Sequence, residues 1–219
     1  IFIESLANPG GVVSDIAAIS AIARKAGIPL VVDNTMATPY LCRPIEHGAD
    51  IVVHSLTKFM GGHGNSMGGA IVDGGSFDWS ASDRYPMLSK PRPEYQGLTI
   101  HETFGNFAFA IACRVLRLRD LGAAISPFNS FLILPGIETL PLRMEKHCAN
   151  TQRVAEYLSG HPSVAWVRYA GLPGDQYHAL ARKYMPKGAG AVFTFGLKGG
   201  SQAGINLVKS VELLSHVAN

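Results

Sequence analysis

The sequence is poor in several things, and each shortage excludes a class of function. It has three cysteines, Cys42, Cys113 and Cys148, far apart in the chain. No CxxC pair or other metal spacing occurs, so neither a zinc module nor a disulfide scaffold is indicated. Separate, reduced, mostly buried thiols in a cytoplasmic protein are the expectation. Long apolar runs are missing too: Ile125–Ile137 is interrupted by Ser126, Pro127, Asn129, Ser130, Pro135 and Gly136. That is far short of a membrane span, and no signal peptide is visible. Charge of one sign is also scarce. A formal net charge of +3 with 8 histidines is too mild for a nucleic-acid surface. Arg114, Arg117 and Arg119 crowd together, but on a helix they read as a solvated face. Finally, no GxGxxG follows the first strand-like run, which disfavours a dinucleotide-binding domain.

What is present is a core. Hydrophobic residues make up 47% of 219 residues, enough for one large domain or two small ones. Ile1–Glu4, Ile28–Asp33 and Ile51–Ser55 read as buried strands, and Ser14 or Asp15 caps a helix reaching Lys25. This series predicts a right-handed βαβ unit. Met67–Asp73 predicts a strand that returns antiparallel, because too few residues intervene for a crossover. Gly74–Thr103 reads as an ordered loop with short helical pieces, and Phe104–Leu121 as one long helix. Pro127–Leu158 predicts helix with breaks near Pro135–Gly136 and Pro141. Strands at Val164–Tyr169 and Ala191–Leu197 alternate with helices at Gln176–Tyr184 and Gln202–Val217, which suggests a second, smaller α/β layer. The chain opens at Ile1 without a Met and closes in a helix-like run with no stop signal, as expected of a piece of a longer protein.

The chemistry concentrates between Val31 and Lys58. Val31–Val32 lead into Asp33, and Ile51–Val53 lead into His54, Ser55, Thr57 and Lys58. In open α/β sheets ligands bind at the carboxyl ends of the strands. A carboxylate on one strand end and a lysine beyond the next suit four readings. The plainest is a structural ion pair. A nucleotide site lacks the strand-to-helix context around Gly61–Gly64. A metal site of His54, His63 and Asp33 has no recurring ligand spacing. The fourth is pyridoxal phosphate, which needs a lysine for a Schiff base, an acid against the ring nitrogen and donors for the phosphate. These residues supply every such group on consecutive strands.

The stretches ESLANPGG (Glu4–Gly11), VVDNTMATPYLCRPIEHGADIVVHSLTKFMGGHG (Val31–Gly64) and GIETLPLRMEKHCANTQRVAEYLSGHP (Gly136–Pro162) carry a resemblance. The chain resembles the pyridoxal-phosphate enzymes of cysteine and methionine metabolism over essentially its whole length. The resemblance implies an α/β, aspartate-aminotransferase-like fold (fold type I). A mostly parallel large-domain sheet would occupy residues 1–139, lacking its N-terminal part, and the start of a smaller α/β domain residues 140–219. It implies pyridoxal 5'-phosphate as cofactor, joined to Lys58. Asp33 would pair with the ring nitrogen, Asn8 would bond near the ring hydroxyl, Ser55 and Thr57 would hold the phosphate, and Thr35 would orient the ring. Pro93–Gly105 and Leu118–Asn129 look like the O-acetylhomoserine sulfhydrylase branch. The reaction implied there replaces the acetoxy group of O-acetyl-L-homoserine by sulfide or a small thiol, with Lys58 as base. Methionine γ-lyase or a cystathionine γ-synthase or γ-lyase is the alternative within the family. A homo-oligomer, dimer or tetramer, is implied as well. The family's ring-stacking tyrosine, phosphate loop and substrate-gripping arginine have no match here, so the 219 residues alone are expected not to run the full reaction.

Overall fold

In a computed structural model of the chain, which describes residues 1–216, three short parallel strands carry the functional region. They are β1 (Phe2–Glu4), β2 (Val31–Asp33) and β3 (Ile51–Ser55). Helix α1 (Ile16–Lys25) makes the crossover between β1 and β2. Asp15 caps it, its carboxylate accepting from the Ala18 amide. A short helix α2 (Thr38–Leu41) and a tight turn at Pro44–His47 connect β2 to β3. Strand β4 (Gly69–Asp73) then lies antiparallel on β3, so the sheet runs β1-β2-β3-β4. The predicted βαβ unit and the antiparallel return are both borne out.

Pairing puts Val31 opposite Ile51 and Asp33 opposite Val53. Successive side chains point to opposite faces. Val32 and Val52 join one core with Leu6, Ile16, Leu30 and Met144. Ile51 joins a second core with Trp79, Leu88 and Ile100, against which Val31 and Val53 pack. Both faces are thus covered, which is why these strands read as plain apolar runs rather than as alternating ones.

The second core is built by α3 (Pro86–Ser89), α4 (Ile100–Phe104) and α5 (Ala108–Ala112). The single helix expected over Phe104–Leu121 is in fact broken. Gly105 adopts φ 54°, ψ −125°, a conformation open to glycine, and Cys113–Arg119 is wound as a π-helical segment. Helices α6 (Pro127–Glu138) and α7 (Leu140–Ser159) follow, separated at Thr139. Strands β5 (Val164–Arg168) and β6 (Thr194–Leu197) form an antiparallel pair, with α8 (His178–Tyr184) between them in sequence. Helix α9 (Gly200–Ser210) stops before the end expected for it; Val217 lies outside the described residues. Among the described residues no helix is long and apolar enough to cross a membrane.

Candidate active site

Asp33 ends β2 and Ser55 ends β3, and the two strand ends are tied by one residue between them. The Thr35 amide donates to Asp33 Oδ1 at 2.9 Å, and the Ser55 amide donates to Thr35 Oγ1 at 2.8 Å. Asn34, fully buried, accepts from the Ser5 hydroxyl at 2.7 Å and donates to the Cys42 carbonyl at 2.9 Å. The loop after β2 is therefore fixed from both sides before any ligand arrives.

After Ser55 the chain enters a π-helical turn, Leu56–Met60. The Gly61 amide donates to the Leu56 carbonyl at 2.8 Å, and the Gly62 amide to that of Lys58 at 2.8 Å. Thr57 closes the turn against the next strand by accepting from the Gly68 amide at 3.2 Å. Lys58 itself departs from helical geometry, with φ −87° and ψ −129°. Its side chain forms no ion pair among the described residues and faces a cavity of about 460 Å³. Asn8, Thr57, Arg143, His147 and Val192 line the same cavity.

The structure thus brings Asn8, Thr57 and Lys58 together in one wall. Asp33, Thr35 and Ser55 do not line this cavity; they form a hydrogen-bonded strand-end group that precedes Leu56 and Thr57 in the chain. The plain ion-pair reading loses its basis, since neither Lys58 nor Asp33 is in a salt bridge among the described residues. The metal reading has no support either: no group of three potential ligands is found among those residues.

Two of the residues lining this cavity, Arg143 and His147, went unnoticed in the sequence. Arg143 and His147 sit one helical turn apart on α7, so they share a face. That spacing is legible, but nothing local says that the face looks onto Lys58. The His147 ring stands edge-on to Phe59, centroids 5.3 Å apart, and burial beside the Arg143 charge pushes its pKa down. His54 is 6% exposed, its Nδ1 has no partner, and burial lowers its pKa despite the pull of the Asp33 charge. A second cavity, about 430 Å³, lies against α7 and α8 and is lined by Cys148, Tyr169 and Arg182. None of the strand-end residues reaches it.

The donor set suits pyridoxal phosphate. A lysine free of ion pairs, a strand-end carboxylate with one oxygen engaged, the Ser55 hydroxyl with no partner among the described residues, and a cavity roomy enough for a small cofactor are all present. A model of the Cys/Met metabolism PLP-dependent enzyme family matches residues 1–219. The chain belongs to this family. It is 50% identical to an O-acetyl-L-homoserine sulfhydrylase of Leptospira meyeri, covering all of this chain and 51% of that protein. It is also 50% identical to a homocysteine synthase of Schizosaccharomyces pombe, covering 52% of it. Among solved structures it superposes on an O-acetylhomoserine (thiol)-lyase of Campylobacter jejuni that carries a pyridoxyl-lysine phosphate. The TM-score is 0.94 at 38% identity, over all of this chain and 55% of that one. The α/β fold expected from the resemblance is borne out. The chain spans about half the length of the curated relatives it matches.

Proposed function

We propose that the protein to which this chain belongs is a transferase that replaces the acetoxy group of O-acetyl-L-homoserine by sulfide or a small thiol, giving homocysteine or methionine and acetate. The observation that carries this reading is Lys58, facing a cavity with Asn8 and Thr57, next to the Asp33–Thr35–Ser55 group. The two relatives named above, both at 50% identity, carry names that describe this chemistry.

In this reading Lys58 would hold pyridoxal 5'-phosphate, and Asp33 would pair with its ring nitrogen. A charge-assisted pair there keeps that nitrogen protonated. The bound group supplies an electron sink for the charge that develops on the substrate's carbons. The Ser55 and Thr57 hydroxyls would face the phosphate, Thr57 while still holding Gly68. Asn8 donates its side-chain amide near the ring hydroxyl, and Thr35 fixes the strand ends that orient the ring. The Lys58 amine would take the proton at Cα and serve as base at Cβ. The Cγ–O bond to acetate breaks, the sulfur of sulfide or thiol bonds to Cγ in its place, and Lys58 returns the protons to Cβ and Cα.

The division into a large domain, residues 1–139, and a smaller one from residue 140 is part of the same proposal, as is a homo-oligomer. Three cysteines without a disulfide support a cytoplasmic setting. The test is an assay of the full-length protein with O-acetyl-L-homoserine and sulfide, beside its Lys58→Ala variant. Homocysteine release that disappears with Lys58 is expected. Release of 2-oxobutyrate instead points to γ-elimination, and turnover that survives Lys58→Ala overturns the reading.

A further inference from the structure

We propose that Arg143 is a positioning residue for Lys58: its guanidinium clasps the end of the lysine turn and sets where the amine stands in the cavity. The inference rests on the reading of Lys58 given above and deepens it.

The π-helical turn leaves its last carbonyls, those of Phe59 and Met60, without partners in the turn itself. Arg143 takes both. Nη1 donates to the Phe59 carbonyl at 2.7 Å and Nη2 to the Met60 carbonyl at 3.3 Å. Nη2 also donates to the Gly136 carbonyl, and Nε to Thr139 Oγ1 at 3.1 Å. Gly136 belongs to the end of α6 and Thr139 to the break before α7. One side chain therefore joins the elbow between two helices to the turn that carries Lys58.

The number of donors decides between this role and a grip on substrate. A guanidinium has five N–H groups. Four hydrogen bonds are already directed at the protein, which leaves one for the cavity. A bidentate hold on a carboxylate needs two. Arg143 borders the Lys58 cavity but is committed to the backbone around it.

The turn is shaped to receive this group. Gly62 has φ 71°, and a β-carbon there would fall onto Arg143, 2.6 Å from Cζ and closer still to Nη1. The guanidinium thus lies against the bare Cα of Gly62. A lysine at position 143 has three donors on a flexible stem and no planar fork, so it cannot hold the same acceptors in the same geometry. A shift of about 1 Å in a reacting group costs about 100-fold in rate.

The test uses the full-length enzyme with pyridoxal phosphate bound and two variants, Arg143→Lys and Thr139→Val. The readouts are kcat and KM for the ester substrate, and the pH midpoint of the visible absorbance of the cofactor on Lys58. For Arg143→Lys the expectation is a kcat lowered roughly 10- to 100-fold with KM within about 3-fold, and a displaced pH midpoint. Thr139→Val removes one acceptor while keeping side-chain shape. It should displace the midpoint in the same direction by less, and it serves should Arg143→Lys fail to fold. A folded variant with lowered thermal stability but wild-type kcat and wild-type midpoint makes Arg143 merely structural and overturns the proposal. Lys58→Ala is the separate control. If it keeps the cofactor absorbance, the reading of Lys58 fails, and this role for Arg143 fails with it.

Discussion

Gly136 of α6 packs directly on Gly61, backbone against backbone, at the exit of the lysine turn. A β-carbon on Gly136 would overlap the Gly61 carbonyl oxygen and lie 2.8 Å from that of Met60. A β-carbon on Gly61 would stand 2.6 Å from the Leu56 carbonyl. The bare Cα of Gly136 lets helix and turn approach this closely, and that of Gly61 lets the turn close on its own Leu56 carbonyl. The carbonyls of Gly136, Met60 and Phe59 are then within reach of one arginine, Arg143.

Gly136→Ala is therefore expected to push α6 off the turn. Overpacking of this kind costs about 1–3 kcal/mol. The Gly136 carbonyl also serves Arg143, so the displacement loosens the lysine turn as well. Urea unfolding of the full-length protein should show a lower midpoint at an unchanged slope. A wild-type midpoint would mean that helix and turn separate freely.

Thr35 links the two strand ends through its hydroxyl. Thr35→Val keeps the shape but leaves the Ser55 amide without its acceptor, a cost of about 1–3 kcal/mol for a group shielded from water. Thr35→Ser keeps the oxygen and should recover most of that loss. Equal midpoints for the serine and valine variants would show that the hydroxyl does not hold the strands.

The same residues show how much of the site was legible. Asp33, Ser55 and Lys58 stand where apolar runs end, and a buried parallel strand advertises that boundary in its own sequence. The helix cap at Asp15 and the antiparallel return of β4 were local signals too. Arg143 was not, because 83 residues separate it from Met60 and no periodicity spans that gap. His54 read as a strand residue and a candidate metal ligand. Only the packed sheet shows that its ring has lost water without gaining a full set of partners. The helix expected from Phe104 failed for a local reason, the positive φ at Gly105, which the apolar content on either side concealed.

Cys42 gives a prediction about reactivity. It is 2% exposed, and burial, helped by the Glu46 charge, pushes its thiol up to about 12. The thiolate is the reactive form. Iodoacetamide at pH 8 should leave Cys42 unmodified in the native protein and label it in urea, as read by peptide mass mapping. Rapid native labelling would mean that the core around Leu41 and Cys148 opens.

His54 supplies a pH dependence whose sign follows from its surroundings. Burial lowers the folded-state pKa, and the nearby Asp33 charge only partly opposes this. The unfolded chain then binds the proton more readily than the folded one. The contribution is complete above the unfolded value, near pH 6.5, and is lost as pH falls from there toward the folded value. In that window one such group changes stability by at most about 1.4 kcal/mol per pH unit. His147, whose pKa is also pushed down by burial, adds to the slope. Urea midpoints of the full-length protein should therefore fall between pH 7.5 and pH 5.5. His54→Asn should fall less over the same interval, whatever its midpoint at pH 7.5. A variant that loses stability as steeply as the wild type would show that the buried ring at position 54 is not a source of the acid sensitivity.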